Sequence, residues 1–128
     1  MPSRIAHVTL VVPEYDPAIS FYCEVLRFEL LEDTDLGEGK RWVRVAPPGA
    51  ETGLLLAKAK GAVQASAIGN QTGGRGGFFL HTDDFNREYD ALKQAGCEFA
   101  RPVREEPYGR VTVFRDPFGN LWDLIEPR

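Results

Sequence analysis

The chain has 128 residues, of which 43% are hydrophobic and 27% are charged, and its net charge is −4. A chain of this size and composition forms one soluble domain that needs no disulfide or metal to stabilise its core. It has no apolar run of the length that spans a membrane and no secretory signal pattern, so we expect a cytoplasmic protein without a membrane partner. Its basic residues form no stripe, which argues against a nucleic-acid partner.

The first half of the chain predicts a βαβββ unit over about residues 4–57. A strand at 4–12 is followed by Asp16 and Pro17, which are typical of a helix start, and apolar residues at helical spacing continue to Leu26. Three further strands are predicted at 28–32, 41–46 and 53–57.

A glycine-rich linker over about residues 58–75 precedes a second unit over about 76–126. A strand at 77–82 leads into a helix that Asp83 and Asp84 can cap, and Gly96 suits the left-handed position that ends it. Further strands are predicted at 97–100, 110–115 and 121–126.

The two halves match in spacing as well as in element order. Pro47 and Pro117 are 70 positions apart, and so are Gly49 and Gly119. The sequence therefore predicts an α+β fold in which two βαβββ repeats form cupped, mixed sheets with helices on the outer face. Neither half has enough core to be stable alone, so we expect residues 1–128 to form a single domain.

The alternation of side chains along a strand decides which residues share a face. In the first strand Val8 and Leu10 should face the helix, which leaves His7 and Thr9 on the opposite face. In the last strand Asp123 also lies on the face opposite the helix. His7 and Asp123 are therefore the polar candidates for a site in the hollow of the sheets.

The doubled unit resembles the vicinal oxygen chelate superfamily, which includes glyoxalase I, the bleomycin and fosfomycin resistance proteins and the extradiol dioxygenases. The resemblance covers essentially the whole chain. It depends on four pieces of sequence: His7, Ile19-x-Phe21-Tyr22-x-x-Val25-Leu26-x-Phe28, Asp116-Pro117-x-Gly119-Asn120, and Trp122-Asp123-Leu124-Ile125-Glu126.

The resemblance implies a divalent metal such as Zn, Ni, Mn or Fe, held by up to four ligands from the first and last strands of each unit. In this sequence only His7 and Asp123 stand at those positions as potential ligands. The repeat relates His7 to Gly77 and relates Asp123 to Gly53 or Leu55, none of which binds metal. Because catalytic zinc normally has three protein ligands and a water, a full metal site is not supported.

Two functions follow from the resemblance. The first is a binding protein that sequesters a small organic molecule in the cavity of the cupped sheets, with polar contacts from His7 and Asp123. The second is a metal-dependent lyase, isomerase or dioxygenase in which those two catalytic residues hold a divalent ion that water or substrate completes. We expect these further residues to contact the substrate: Thr9, Phe79, His81, Tyr108 and Arg110.

Each candidate also has a purely structural interpretation. The side chain of His7 can hydrogen-bond a neighbour, Asp123 can be a buried carboxylate paired with His7, and Arg110 can be an exposed arginine beside a turn. The His7–Asp123 pair could equally serve as a general base. Trp42 and Arg44 are interpreted as surface or subunit contacts. The repeat architecture also predicts a homodimer, in which the units pair either within a chain or between chains.

Overall fold

The computed structural model describes residues 2–128. It divides into two compact units, the first ending at Ser66 and the second beginning at Ala67. The first unit contains β1 (His7–Val12), α1 (Tyr15–Ile19), a π-helical segment (Ser20–Val25), β2 (Glu29–Gly37), β3 (Lys40–Ala46), β4 (Gly53–Lys58) and α2 (Gly61–Ala65). The second contains β5 (Phe78–His81), α3 (Phe85–Gln94), β6 (Phe99–Glu106), β7 (Gly109–Arg115) and β8 (Leu121–Pro127).

Each unit contains one four-stranded mixed sheet, and the two sheets have the same topology. The strand order is β1-β4-β3-β2 in the first unit and β5-β8-β7-β6 in the second. In both, the first strand pairs in parallel with the last strand of its unit, and the other pairs are antiparallel. The predicted α+β fold of two βαβββ repeats is confirmed.

The core of the first unit lies between its sheet and α1. Arg41 marks this face, because its guanidinium lies over the Tyr15 ring at 5.2 Å and donates to Asp16 at 2.8 Å. The side chains on the same face of the sheet are fully buried: Leu10, Val12, Val43, Val45 and Leu56. Val8 continues this face towards the start of β1 but is 49% exposed, so the predicted apolar face is covered only from Leu10 onward.

The first helix differs from its prediction at both ends. Glu14 occupies the N-cap, which places Asp16 in the first turn rather than at the cap. From Ser20 the helix widens to π geometry, in which Leu26 donates to the Phe21 carbonyl at 3.2 Å. The wider turn buries Phe21 beside Tyr22 and leaves Cys23 only half-buried.

The second unit has a regular helix on the corresponding face of its sheet. Asp84 caps α3 by accepting from the Arg87 amide at 3.1 Å, as the sequence predicts. The Phe85 amide donates to Glu126 at 2.8 Å, which fixes the start of the helix against β8. Leu92 and Leu124 are fully buried between helix and sheet.

The turn between β7 and β8 is organised by one carboxylate. Asp116 is buried and accepts from the amides of Phe118 and Asn120, each at 3.0 Å. It also accepts from Asn120 Nδ2 at 2.8 Å and from Trp122 Nε1 at 3.1 Å. The predicted turn motif is therefore a hydrogen-bond cluster that secures the entry into β8.

Two predicted loops contain regular structure. The glycine-rich linker includes α2, in which Val63 is exposed. β6 extends to Glu106, so most of the gap between the strands predicted at 97–100 and 110–115 is strand, and only Pro107 and Tyr108 form the turn. Among residues 2–128, no helix is long and apolar enough to cross a membrane.

Candidate functional site

The face of each sheet that lies opposite its helix is called here the open face of that unit. In the first unit the strand registers place five notable side chains on it: His7, Thr9, Trp42, Arg44 and Leu55. In the second unit they place these side chains on it: Phe79, His81, Val113, Asp123 and Ile125.

His7 lies at the start of β1 on the open face of the first unit, directly opposite Gly53 of β4. Its ring meets the Trp42 ring edge-on, with the centroids 5.7 Å apart. Its Nδ1 atom is buried and has no hydrogen-bond partner in the described structure. Because a buried polar atom without a partner is costly, Nδ1 is available to a group that ligand binding would bring.

Thr9 lies on the same open face, two residues after His7 on the edge strand β1, and is exposed to solvent. It is paired with Leu55, and Leu55 is paired with Arg44 on the next strand. The Arg44 guanidinium donates to Glu32 at 2.7 Å. This open face therefore combines an aromatic ring pair with a neutralised arginine.

Phe79 and Asp123 are neighbours on the open face of the second unit. They are register partners in the parallel pair of β5 and β8, and Val113 is the partner of Asp123 on β7. Phe79 is 64% exposed, whereas Val113 and Ile125 are buried. The face thus presents an exposed aromatic ring beside a half-buried carboxyl group.

The surroundings of Asp123 change its acid–base behaviour. Burial raises the pKa of the Asp123 carboxyl above its usual range, while the positive charges of Arg104 and Arg101 act in the opposite direction. Arg104 Nε is itself buried without a hydrogen-bond partner. A Cβ atom added at Gly76 would lie 3.5 Å from Asp123 Oδ1, so glycine leaves the approach to the carboxyl open on that side.

The remaining candidates of the second unit are divided between its faces. His81 shares the open face with Phe79 and is exposed. Tyr108 is 55% exposed in the turn before β7. Arg110 lies on the helix-covered face, where it stacks over Phe85 at 5.4 Å and donates to Glu105 and Asn86. Arg110 is thus separated by the sheet from Asp123.

The registers decide which residue of the first unit is the counterpart of Asp123. His7 and Gly77 each precede the first helical residue of their unit by the same number of positions, and Thr9 and Phe79 correspond in the same way. Because Thr9 pairs with Leu55 and Phe79 pairs with Asp123, the counterpart of Asp123 is Leu55 rather than Gly53.

The donors present do not fit a catalytic metal. The first unit has His7 as a potential metal ligand, but the position that corresponds to Asp123 is occupied by Leu55. The second unit has Asp123, but the position that corresponds to His7 is occupied by Gly77. Within residues 2–128 no three His, Cys, Asp or Glu side chains are grouped as metal ligands. A stable catalytic zinc site needs three such ligands, so we derive no metal-dependent step. The expected meeting of His7 with Asp123 stays a prediction.

Three residues at these open faces were not assigned to a site by the sequence. Trp42 was interpreted as a surface residue, yet it contacts His7. Arg101 and Arg104 act to lower the pKa of Asp123. The sequence did not indicate this because β6 has register shifts between Phe99 and Arg104, which break the simple alternation of side chains. The alternation of side chains along β3 places Trp42 on the same face as Arg44. The sequence does not give the register of β3, however, so it could not place Trp42 beside His7.

The resemblance in motifs is confirmed by comparison with known families. Residues 4–124 match the model described as the Glyoxalase/Bleomycin resistance protein/Dioxygenase superfamily. The chain belongs to this superfamily. The match covers both βαβββ units, in agreement with their common topology.

Relatives and solved structures extend over nearly the full chain. A protein of Shewanella frigidimarina (strain NCIMB 400) is 51% identical over 98% of this chain and 95% of its own length. The crystal structure of UcmS2 is similar with a TM-score of 0.82 and 32% identity, covering 98% of this chain and 99% of that one. TnmS3, an antibiotic binding protein from Streptomyces sp. CB03234, has a TM-score of 0.71 and 32% identity, covering 99% and 98% respectively.

Proposed function

We propose that this protein binds a small, partly aromatic organic molecule at the open faces of its sheets, by direct contacts and without a bound metal. The observation that carries the proposal is the pairing of an exposed Phe79 with a half-buried Asp123 on one face. An aromatic surface beside a few fixed polar groups is the usual composition of a small-molecule site.

Phe79 supplies the apolar part of the proposed contact. Its ring is 64% exposed, although Val113 and Ile125 of the same face are buried. Covering a phenyl ring fully contributes about 1.5–3 kcal/mol, and a stacked aromatic partner adds about 0.5–1.5 kcal/mol. A flat aromatic ligand therefore gains most from this position.

Asp123 and Arg104 supply the polar part. The raised pKa of Asp123 reflects a carboxyl group that has lost part of its hydration, so a donor group on the ligand, such as a hydroxyl, would replace lost water contacts. Arg104 Nε is buried without a hydrogen-bond partner, since its ion-pair partner Glu106 lies at 3.8 Å, and it suits an acceptor such as a carbonyl. The preferred ligand thus carries hydroxyl and carbonyl groups on an aromatic frame.

The open face of the first unit, taken by itself, offers groups of the same kind. The edge of the His7 ring lies against Trp42, and His7 Nδ1 lacks a hydrogen-bond partner. An imidazole nitrogen can either donate or accept, depending on its protonation. We assign Thr9 to ligand contact on the open face of the first unit, and His81 to ligand contact on the open face of the second unit.

Similarity to TnmS3 supports a binding role over catalysis. That protein is described as antibiotic binding and is 32% identical to this chain over nearly its full length. Binding without chemical conversion needs no metal ligand set, which agrees with Leu55 and Gly77 at the family's ligand positions.

The proposal is tested by calorimetric titration with a panel of aromatic antibiotics that carry hydroxyl and carbonyl groups. We expect saturable binding by at least one compound and a loss of about tenfold in affinity for Phe79→Ala, which corresponds to about 1.4 kcal/mol. Val63→Ala, which shortens another exposed apolar side chain outside the open faces, should leave affinity unchanged.

Two outcomes would count against this site. Either no compound of the panel binds saturably, or the compound that binds does so equally well to wild type and to Phe79→Ala.

We further infer that the protein is a homodimer. Ile5 and Val8 remain 67% and 49% exposed at and near the start of β1, which lies at the edge of its sheet. A second copy covering this surface would remove apolar area from water. Light scattering should give twice the mass of the chain, and Val8→Lys should shift it towards the mass of one chain.

A further inference from the structure

A pocket of about 210 Å³ lies at one end of the sheet of the second unit, between the loop 69–77 and the ends of β7 and β8. Its lining mixes amide, hydroxyl and guanidinium groups with apolar side chains. These side chains contribute to it: Asn70, Thr72, Arg75, Phe78, Arg115 and Leu121. A pocket of this composition suits a polar group that also has an apolar surface.

The pocket adjoins the open face of the same unit. Leu121 precedes Asp123 by two residues on β8, so both side chains lie on that face. Arg115 is the register partner of Leu121, as Val113 is of Asp123. One wall of the pocket is therefore the next row of side chains beside Asp123, about 7 Å away along the strands. A substituent on a molecule that covers Asp123 would reach the pocket directly.

Gly76 lies where the open face and the pocket meet. A Cβ atom added at Gly76 would lie 3.5 Å from Asp123 Oδ1. Its two neighbours in the loop, Arg75 and Gly77, both line the pocket. Because glycine has no side chain, it leaves room between the carboxyl group and the pocket.

The loop that forms the other wall is held by close backbone contacts. Gly69 has a φ of +71°, and a Cβ atom there would lie 2.7 Å from the Phe118 carbonyl oxygen. The Thr72 hydroxyl donates to the Arg75 carbonyl, which closes the turn. The pocket is therefore formed before a ligand binds, and little loop ordering opposes binding.

The polar groups of the pocket favour a neutral partner over an anion. Arg115 Nε lies 3.2 Å from Glu98, which neutralises that guanidinium. Arg75 is exposed, so water screens its charge. On the same loop, Asn70 and Thr72 contribute a neutral amide and a hydroxyl. Groups that both donate and accept, such as hydroxyls, match this lining best.

Phe78 gives the pocket an apolar surface. Its half-buried ring stacks on the Trp122 ring with the centroids 4.8 Å apart, which holds it in position. The Phe78 ring lines the pocket together with Leu121. A saturated ring can pack its C–H groups against such a surface while its hydroxyl groups reach the polar loop. A sugar ring has both features.

We propose that the ligand of the open face is a glycoside, whose sugar ring occupies this pocket while its aromatic frame lies against Phe79. Asn70 bonds the sugar hydroxyls from the loop, and Phe78 and Leu121 pack against the sugar ring. Such a ligand presupposes the binding function proposed above, because the aromatic frame brings the sugar to the pocket.

The test is a calorimetric titration of the full chain with three probes that share a frame bearing a hydroxyl and a carbonyl group. They are dihydroxycoumarin with hydroxyls at carbons 6 and 7, its 6-O-β-glucoside and its 6-O-cyclohexyl ether. The ether carries a ring of the same size without hydroxyl groups. We expect the glucoside to bind about tenfold more tightly than either other probe, because its hydroxyl groups gain hydrogen bonds. In NMR spectra, only the glucoside should shift the amide signals of residues 69–77.

Asn70→Ala should weaken glucoside binding by about threefold to fivefold and leave dihydroxycoumarin binding unchanged, because it removes one hydrogen-bonding amide at an exposed position. The matched control is Gln94→Ala, which removes an exposed side-chain amide at the end of α3 and should change neither affinity. Phe79→Ala should weaken both the glucoside and dihydroxycoumarin, since both carry the aromatic frame.

The glycoside can fail while the binding function stands. This is the result if dihydroxycoumarin binds in a manner that depends on Phe79, but the glucoside binds no more tightly than dihydroxycoumarin or the ether. Equal behaviour of the Asn70 and Gln94 variants has the same meaning. If none of the three probes binds, the glycoside proposal also falls, and the panel of aromatic antibiotics decides separately whether the open face binds a ligand.

Discussion

The two units of this protein share one topology but not one chemistry. The sheets have the same strand order and the same parallel pairing of first and last strands. Yet the first unit keeps a donor on its first strand, His7, and has Leu55 on its last, while the second unit has Gly77 and then Asp123. The backbone pairing that defines the repeat therefore does not depend on which side chains occupy the family's ligand positions.

The two units also differ in the polar interactions of the turn that precedes the last strand. Asp116 of the second unit corresponds to Ala46 of the first, each directly before the proline of its turn, and both residues are buried. Only the second unit gathers four donors onto one buried carboxylate at this point. The same turn position is thus apolar in one unit and a hydrogen-bond centre in the other.

The largest effect is expected when the Asp116 carboxylate, which accepts these hydrogen bonds, is removed. Asp116→Ala should lower the free energy of unfolding by about 3 kcal/mol or more, because buried amide and indole donors lose their acceptor. Urea unfolding followed by tryptophan fluorescence measures the change. Asp90→Ala, an exposed carboxylate on α3, should stay within about 0.5 kcal/mol of wild type. A loss below about 1 kcal/mol for Asp116→Ala would show that water replaces the carboxylate at little cost.

A second set of variants tests why the second unit has glycine at position 77, where the first unit has His7. Gly77→Ala should cost about 1–3 kcal/mol, because its Cβ would overlap Thr72 Cγ2. Thr72→Ser removes that methyl group but keeps the hydroxyl that donates to Arg75, so Gly77→Ala should be much better tolerated in the Thr72→Ser background. A double-mutant cycle from urea unfolding gives the coupling. Additive costs would mean that Thr72 is not what requires glycine at this position.

The helix ends provide a third, smaller contrast. Gly96, two residues after the end of α3, has a φ of +80°, whereas Arg27, two residues after the end of the π-helical segment, has a φ of +61°. Gly96→Ala should cost about 1 kcal/mol, and Arg27→Gly should gain about 0.5 kcal/mol, since only glycine adopts this region without strain. Thermal unfolding of both variants checks the opposite signs. A loss of stability in Arg27→Gly would mean that the arginine side chain makes contacts that offset its backbone strain.

The smallest expected effect concerns Asp123. Its folded pKa is raised, so folding favours the protonated carboxyl, and ionisation costs stability as the pH rises from about 4 through the folded pKa. Asp123→Asn should therefore be more stable than wild type at pH 7, by less than about 1 kcal/mol because solvent still reaches the group. The difference should vanish near pH 3. Urea unfolding at both pH values measures it, and a difference that grows on acidification would contradict the assigned direction.

Much of the fold was predictable because it rests on local spacing. The intervals between Pro47 and Pro117 and between Gly49 and Gly119 revealed the repeat, and alternation placed Asp123 opposite the helix face. The cap at Asp84 and the helix end at Gly96 followed from residue chemistry. These features depend on neighbours within a few positions, which a sequence displays directly.

The remaining features depend on long-range pairing that the sequence does not display. The choice between Gly53 and Leu55 needed the β1–β4 register. The widened turn after Ser20 was hidden because apolar residues from Phe21 to Leu26 suit either helix geometry. Trp42 could be placed beside His7 only once the strand order was known.

We propose that ligand binding at the open faces needs no metal. Its most direct test is calorimetric titration of the best-binding aromatic compound before and after exhaustive chelation, with the metal content of both samples measured by mass spectrometry. We predict the same affinity in both samples and less than about 0.1 equivalent of metal in the chelated protein. Binding that disappears on chelation and returns when zinc, nickel, manganese or iron is added would contradict the account.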